Sequence, residues 1–246
     1  MTVADWFQWL NAAYGINLSV FYDPFDRSRF LRGLGMTIYL SVACIFLSLI
    51  IGLIGAWFQG ARSRLVRSLT WIYVETFRNT PPLVQLMFFY FALGATLPSL
   101  AGVAAHAPLI GNVGWAVISF SLFAGAFNVE IFRSGIEAVP SATREAAESL
   151  GYTRFQIYRY VVVPLAFRIC LPALNNNLVN LMKTTTLAYA IGVPELLYAS
   201  AQVWSEVFNV REMMLLLLVC FVLMVGAFVT LMSRIERALH IPGYSV

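Results

Sequence analysis

The sequence predicts an all-α membrane protein with about five transmembrane helices, and two observations carry that prediction. Hydrophobic residues make up 60% of its 246 residues and charged residues only 11%, whereas soluble domains carry about 25% charged residues. Five apolar runs are each long enough to cross a bilayer, which takes roughly 20 residues in a helix. These runs cover residues 34–58, 69–97, 115–136, 169–191 and 213–232.

A mixed segment, residues 1–32, precedes the first run. In it Trp6, Phe7, Trp9 and Leu10 stand among polar residues. Amphipathic segments that are rich in aromatic residues lie in the plane of the membrane interface. We therefore expect a periplasmic or interfacial segment at this end of the chain.

The distribution of arginines predicts the orientation of the spans, because cytoplasmic loops carry an excess of Lys and Arg. In a five-span arrangement the segments on one side hold Arg62, Arg64, Arg67, Arg133, Arg144, Arg154, Arg159, Arg168, Arg234 and Arg237. The other side holds Arg27, Arg29, Arg32 and Arg211. The total places the N-terminus outside and the C-terminus in the cytoplasm, although the three arginines before the first run favour the reverse. Residues 33–237 then form the transmembrane domain and residues 238–246 a cytoplasmic tail.

The second run is interrupted at residues 78–82, which read Arg-Asn-Thr-Pro-Pro. Pro82 lacks a backbone donor and Pro81 keeps the residue before it out of the α region, so the run cannot be one regular helix. Irregular backbone at membrane depth is tolerated where it is buried or lines a cavity. Arg78 and Asn79 are therefore candidate ligands for a zwitterionic solute, and the alternative is a simple proline kink.

The third run has two polar positions, Asn128 and Glu130. Glu130 and Arg133 are three residues apart and are predicted to pair on one helix face. We interpret this part of the run as structural.

The fourth run carries a polar stripe. At 100° per residue, four polar residues share one helix face and a fifth lies at its edge: Asn176, Asn180, Lys183, Thr184 and, at the edge, Asn177. A lysine near mid-span costs about 2.5–3.5 kcal/mol and ordinarily faces a bundle interior or a wet cavity. We predict that the stripe lines a passage. The alternative is Asn/Thr contacts between helices, with Lys183 paired to a carboxylate such as Glu75.

Residues 137–164, between the third and fourth runs, predict a helical hairpin. Ser141 is the expected N-cap of its first helix, and Gly151 ends that helix. Thr153 starts a second helix through a capping box, and Pro164 closes the segment because the residue before a proline leaves the α region. The hairpin is either a solvated loop folded on its own membrane domain or a lever inserted into a groove on a partner.

The hairpin also carries a long motif with fixed spacing. It consists of Glu145, Ala146 and Ala147, then Gly151 after three residues, then Val161, Val162, Val163 and Pro164 after nine more. It resembles the EAA loop of bacterial ABC-importer permeases, EAA–x3–G–x9–I–x–L–P, with valine for Ile at 161 and for Leu at 163. Residues 73–81, 130–133, 181–185 and 241–244 resemble the polar amino acid branch of that family, and the resemblance spans about residues 30–246.

That resemblance implies the type I ABC-importer permease fold in a bacterial inner membrane. It implies two permeases per complex, identical or homologous, together with two cytoplasmic ATPase subunits and a periplasmic or lipid-anchored binding protein. The hairpin would be the coupling helix, with Glu145, Ala146, Ala147, Leu150, Gly151, Phe155 and Pro164 at the ATPase. The substrate-pathway residues would be Arg78, Asn79, Asn176, Asn180, Lys183 and Thr184.

Other functions are disfavoured by what the sequence lacks. It contains no GxxxxGK[ST] motif, so ATP and Mg²⁺ are expected to bind to a partner, and this chain is expected to hold no cofactor, metal or catalytic residue. A secondary transporter or channel would need no coupling loop and usually shows more spans or a repeat. A permease for an amino-acid-like solute such as an opine stays open. The net charge of +4 reflects cytoplasmic loops rather than nucleic-acid binding.

Overall fold

The computed structural model describes residues 2–96 and 110–239, and every regular element in these residues is helical. The α-helices are α1 (Val3–Tyr14), α2 (Pro24–Gln59), α3 (Arg64–Arg78), α4 (Pro82–Met87), α5 (Asn112–Glu137), α6 (Ser141–Ser149), α7 (Arg154–Ile157), α8 (Val163–Thr184), α9 (Leu196–Val207) and α10 (Val210–Leu239). Tighter 3₁₀ turns occupy Ser19–Phe21 and Thr185–Ile191. Wider π turns occupy Phe88–Leu93 and Tyr158–Val162. The all-α prediction is confirmed, and the end of the predicted tail lies outside the described residues.

Four of the described helical stretches are long and apolar enough to cross a membrane: α2, α5, Arg154–Ile191 and α10. The predicted second span is two helices rather than one. The first, α3, ends at Arg78, and an apolar helix, Pro82–Thr96, follows it that is shorter than each of the four spans. The interruption falls at the two prolines, where the sequence predicts it.

The chain forms two compact units. The first consists of Met1–Ala43, Leu86–Ser119 and Met182–Gly226. Its core joins the start of α2 to α9 and α10 through Val20, Phe30, Leu196, Val203 and Met213. A hydrogen bond from the Leu196 amide to Thr37 Oγ1 (2.9 Å) fixes α9 against α2.

The N-terminal helix α1 belongs to this unit and has no buried residue. Both of its ends are capped, by a capping box at Thr2 and by a left-handed Gly15. Phe7 stacks on Phe21 with ring centroids 4.3 Å apart, while Trp6 and Trp9 stay about half exposed. The helix is therefore held at one edge and leaves an aromatic face uncovered.

The second unit consists of Cys44–Gln85, Phe120–Leu181 and Ala227–Val246. In it α2 and α5 pack closely, because a Cβ at Gly52 would clash with Asn128. Asn128 is fully buried. It donates to Ser48 Oγ (3.2 Å) and accepts from Asn177 Nδ2 (2.7 Å). The predicted structural role of Asn128 thus has a physical basis, since this network joins α2, α5 and α8.

Candidate functional site

The first helix of the hairpin, α6, ends in a turn that requires glycine. Gly151 has φ +81°, a conformation that costs other residues free energy. The Tyr152 amide donates to the Ala147 carbonyl (3.2 Å) and the Gly151 amide to the Glu148 carbonyl (2.9 Å). These two bonds form a Schellman motif, so the predicted stop at Gly151 is confirmed.

The start of α6 differs from the prediction. Pro140, rather than Ser141, is the N-cap residue, and no side chain caps this end. Ser141 is already helical because the extended backbone of Pro140 (ψ 139°) takes the capping position. Proline can stand there because amides at a helix start make no bond within the helix, so its missing N–H removes none.

The second helix of the hairpin begins as predicted and ends elsewhere. Thr153 and Gln156 form the capping box in both directions. Pro164, however, does not close the segment. Val163, the residue before it, is helical (φ −62°, ψ −46°), and the backbone continues without a break into α8.

The π turn at Tyr158–Val162 explains this continuity. A proline in an α-helix removes one amide and crowds the carbonyl four residues earlier. In the π turn the Val163 amide donates instead to the carbonyl of Tyr158, five residues earlier. This wider turn accommodates the proline, so α7 and α8 form one continuous rod.

The hairpin has its own small core and an apolar tip. Its core consists of Val139, Ala147, Ile157, Val162 and Ala166. Glu145 and Ala146 are exposed on α6, and Pro164 is half-buried. Leu150 is 78% exposed and Phe155 is 75% exposed. Ala147 and Pro164 therefore shape the hairpin from within, while Leu150 and Phe155 face outward at its tip.

The polar stripe on α8 divides between two sides of the helix. Asn176, Asn180 and Lys183 are exposed on this chain, whereas Thr184 is only 9% exposed. Asn177, at the edge of the stripe, turns inward to Asn128 and to the carbonyl of Ala124 (3.1 Å). Three of the four predicted residues thus share one open face, and Thr184 does not.

The break between α3 and α4 is held by local hydrogen bonds. Asn79 Nδ2 donates to the Glu75 carboxylate (2.7 Å), and the Arg78 guanidinium lies 5.5 Å from the centre of the Phe127 ring. Gln85, which sequence reasoning missed, donates to the carbonyls of Phe77 (2.9 Å) and Thr80 (3.1 Å). The Phe77 carbonyl needs this donor because its helical partner would be the amide that Pro81 lacks. A lone glutamine in an apolar run just after two prolines was the available signal.

The predicted ion pair between Glu130 and Arg133 on α5 is present, and Glu137 also takes part in it. Arg133 Nη2 lies 2.7 Å from Glu130 Oε2, and Arg133 Nη1 lies 2.7 Å from Glu137 Oε1. Gln59 Nε2, at the end of α2, also donates to Glu130 (2.9 Å). The pair is therefore part of a polar cluster that joins α2 to α5.

A second residue missed by sequence reasoning is Glu195, which directly precedes α9 in the sequence. Its side chain is fully buried. It caps α9 by accepting from the amides of Leu197 (2.9 Å) and Tyr198 (2.8 Å). Burial raises the pKa of Glu195 from its ordinary value of 4.5 to about 7, against the opposing effect of the two amides.

This buried carboxyl predicts that the stability of the chain depends on pH. Because the folded pKa is raised, the contribution of Glu195 is fully present below pH 4.5 and is lost as the pH rises through about 7. We expect a higher thermal unfolding midpoint in detergent at pH 5 than at pH 8, and a flatter profile for Glu195→Gln. A profile for Glu195→Gln that is as steep as that of the wild type would contradict the assignment.

A family described as "binding-protein-dependent transport system inner membrane component" matches residues 48–240. The glutamate/aspartate import permease protein GltJ of Escherichia coli (strain K12) is 27% identical over 227 residues, covering 89% of this chain and 92% of the relative. The histidine/lysine/arginine/ornithine permease protein HisM of Salmonella typhimurium is 29% identical over 213 residues, covering 86% and 90%.

Solved structures share the fold. An amino acid ABC transporter crystallised with histidines matches with a TM-score of 0.76 and 28% identity, covering 86% of this chain and 94% of that one. The inward-facing MetNI methionine ABC transporter matches with a TM-score of 0.68 and 21% identity, covering 89% and 99%. At 21% identity the second match shows only that the fold is shared.

Proposed function

Because the chain belongs to the family of binding-protein-dependent transport system inner membrane components, we propose that its hairpin couples to an ATPase and that the open face of α8 lines the solute passage. The chain is a membrane-spanning permease subunit of an ATP-binding-cassette importer for amino acids. Glutamate, aspartate, histidine and lysine stand in the names of its relatives. We infer that its own solute is a polar amino acid.

The observation that carries the coupling role is the apolar tip of the hairpin. Leu150 and Phe155 are each at least three-quarters exposed, although the hairpin also carries charged residues on both of its helices. Large apolar side chains grouped in this way mark a contact with another protein, and aromatic anchors in pockets supply much of the affinity of such contacts. The Schellman turn at Gly151 holds both side chains in place. We infer that the tip inserts into a groove of the ATPase.

The passage role is supported by the open face of α8. Asn176, Asn180 and Lys183 are exposed on a helix that is apolar enough to span the membrane. Polar and charged side chains at membrane depth face protein or a wet cavity rather than lipid. We infer that a second permease, identical or homologous, covers this face and encloses a wet passage, to which Arg78 and Asn79 also contribute.

The remaining parts of the importer come from partners. We propose that ATP and Mg²⁺ bind to a separate ATPase dimer, since the 246 residues contain no P-loop motif. We also propose that a periplasmic binding protein delivers the solute to the outward side. An ion-driven secondary transporter would have no use for the exposed tip of the hairpin.

The N-terminal helix α1 is proposed to lie in the outer membrane interface. Its uncovered face carries Trp6, Trp9 and Tyr14, and α2, the first candidate span, begins only ten residues after α1 ends. Indole and phenol rings favour the boundary between headgroups and hydrocarbon. This proposal agrees with an N-terminus on the outside.

Cysteine labelling tests the orientation. In a chain whose native cysteines are replaced by alanine, we expect cysteines at Ser63 and Ser149 to react only from the cytoplasm. A cysteine at Ala12, on the polar side of α1, is expected to react only from outside. All three positions are exposed on the chain. Labelling on the opposite sides would overturn the proposed orientation.

Reconstitution tests the function itself. We expect proteoliposomes that contain this chain, its ATPase and its binding protein to accumulate a polar amino acid only when ATP is supplied on the ATPase side. Matched vesicles with a sodium or proton gradient and no ATP serve as the control. Accumulation driven by the ion gradient alone would support the secondary-transporter alternative instead.

A further inference from the structure

Two neighbouring cavities open where α2 and α5 end, and both lie within the second unit. One has a volume of about 390 Å³, and its mixed lining includes the polar residues Gln59, Arg133 and Glu137. The other has a volume of about 240 Å³ and is lined by apolar groups that include Leu53, Phe132 and Phe167. The two cavities share four lining residues, Ala56, Trp57, Ile136 and Tyr158. We call the pair the amphiphilic cleft.

The polar half of the cleft has more hydrogen-bond acceptors than donors. All three guanidinium nitrogens of Arg133 point to carboxylates: Nε and Nη2 to Glu130, and Nη1 to Glu137. Two carboxylates against one guanidinium leave this cluster with a net charge of −1. Gln59 gives its amide nitrogen to Glu130, and its Oε1 is buried with no hydrogen-bond partner among the described residues. A buried acceptor without a hydrogen-bond partner raises the free energy of the folded state. This half of the cleft therefore suits a cation that donates hydrogen bonds.

A charge outside the cleft also acts on the cluster. Arg78 attracts Glu130 electrostatically, but it does not line the polar cavity. Glu137 does line it, has Arg133 as its ion-pair partner, and is 62% exposed. The acceptor that faces the cavity most openly is therefore a carboxylate.

The apolar half lies deeper along the same helices. Gln59 and Glu137 are the last residues of α2 and α5, whereas Leu53 and Phe132 come six and five residues earlier. At 1.5 Å per residue they lie about 8–9 Å further into the span. Trp57, 75% exposed, stands between the two levels, where indole rings favour the interface. Polarity therefore changes along the cleft as it does along a phospholipid.

We propose that the amphiphilic cleft binds a phospholipid whose headgroup carries a primary ammonium, phosphatidylethanolamine. The ammonium donates to Glu137 and to Gln59 Oε1, and an acyl chain lies against Trp57, Phe132 and Phe167. A choline headgroup has no N–H to donate. A headgroup with a net negative charge is disfavoured by the surplus of carboxylate.

The amphiphilic cleft extends to the base of the hairpin. Tyr158 lines both halves of the cleft and is the first residue of the π turn between α7 and α8. A bound lipid would contact the base of the coupling hairpin as well as α2 and α5. The proposal depends only on the membrane location of the chain and not on the identity of the transported solute.

Native mass spectrometry of the full chain in detergent tests the proposal with lipids of identical acyl chains. We expect binding to weaken stepwise from phosphatidylethanolamine through its monomethyl and dimethyl forms to phosphatidylcholine, by about tenfold in all, which is the worth of one charge-assisted hydrogen bond. Glu137→Gln should remove most of this discrimination. Glu148→Gln, an exposed acidic residue of the hairpin that does not line the cleft, should leave it unchanged.

Two results would overturn the proposal. Equal binding across the methyl series would mean non-specific surface lipid only, and tightest binding of phosphatidylglycerol would mean that arginines rather than carboxylates recognise the headgroup. If Glu137→Gln does not fold, Gln59→Leu replaces it, because it removes the unmet acceptor and keeps the ion pairs. Undiminished discrimination in Gln59→Leu then counts against the site.

Discussion

Replacing Gly151 by valine is expected to reduce amino acid transport about 5- to 30-fold while membrane insertion is retained. The left-handed conformation at Gly151 (φ +81°) costs a residue with a Cβ about 1–2 kcal/mol, which corresponds to that range in an equilibrium. No atom lies within 4 Å of the place where a Cβ would stand. The strain is therefore confined to the backbone of the turn. It disturbs the backbone next to Leu150, so docking of the tip to the ATPase is expected to weaken.

Gly151→Asn is the matched control, because asparagine tolerates the left-handed region far better than valine does. We expect the asparagine variant to stay close to wild type in both transport and co-purification with the ATPase. The measurement is uptake into proteoliposomes at equal amounts of reconstituted permease. Equal loss in the two variants would point to the tip surface rather than to the backbone, and full activity of the valine variant would remove the coupling role from this turn.

Lys183→Met is expected to cut transport at least about tenfold, a change of about 1.4 kcal/mol. Lys183 is exposed on the open face of α8 and is the one lysine in the sequence. A carboxylate that leaves water needs a donor or a cation to offset its desolvation. Methionine keeps the length of the side chain and removes a charge that is expensive at membrane depth, so assembly should survive. Basal ATP hydrolysis should remain measurable.

Lys183→Arg is the control that keeps the cation, and it should retain most of the transport. The single lysine also permits a direct test of access, since an amine-reactive reagent has only Lys183 and the N-terminus to modify. Solute at saturating concentration should slow modification of Lys183. Normal transport by Lys183→Met would refute the lining role. Failure of that variant to assemble would assign Lys183 a structural role instead.

Local signals were sufficient to predict the turn of the hairpin and the start of its second helix. The capping box at Thr153 and the stop at Gly151 each depend on residues within five positions of one another, and both are present. The break before Pro82 is local for the same reason. The ion pair of Glu130 with Arg133 needed only the helical repeat.

The errors and omissions arose where partners are distant in sequence or where two local rules compete. Pro164 was expected to end a helix, but the wider π turn at Tyr158–Val162 accommodates the proline and the helix continues. The buried roles of Asn128 and Glu195 depend on neighbours that only the folded chain supplies, such as Asn177 for Asn128. The amphiphilic cleft has no sequence signature, because its walls come from α2, α5 and α8 together.

The π turn also sets the rotation of α8 about its own axis relative to the hairpin. Phe155 at the hairpin tip and Asn176 on the open face of α8 belong to one unbroken rod, about 30 Å apart at 1.5 Å per residue. Each residue in that rod turns the following side chains by 100°. Deleting one residue from Tyr158–Val162, so that the turn becomes an ordinary α turn, would swing Asn176 and Asn180 away from the passage while the hairpin stayed seated. The extra residue of the turn thus fixes the rotation of the face proposed to line the passage relative to the hairpin proposed to dock on the ATPase.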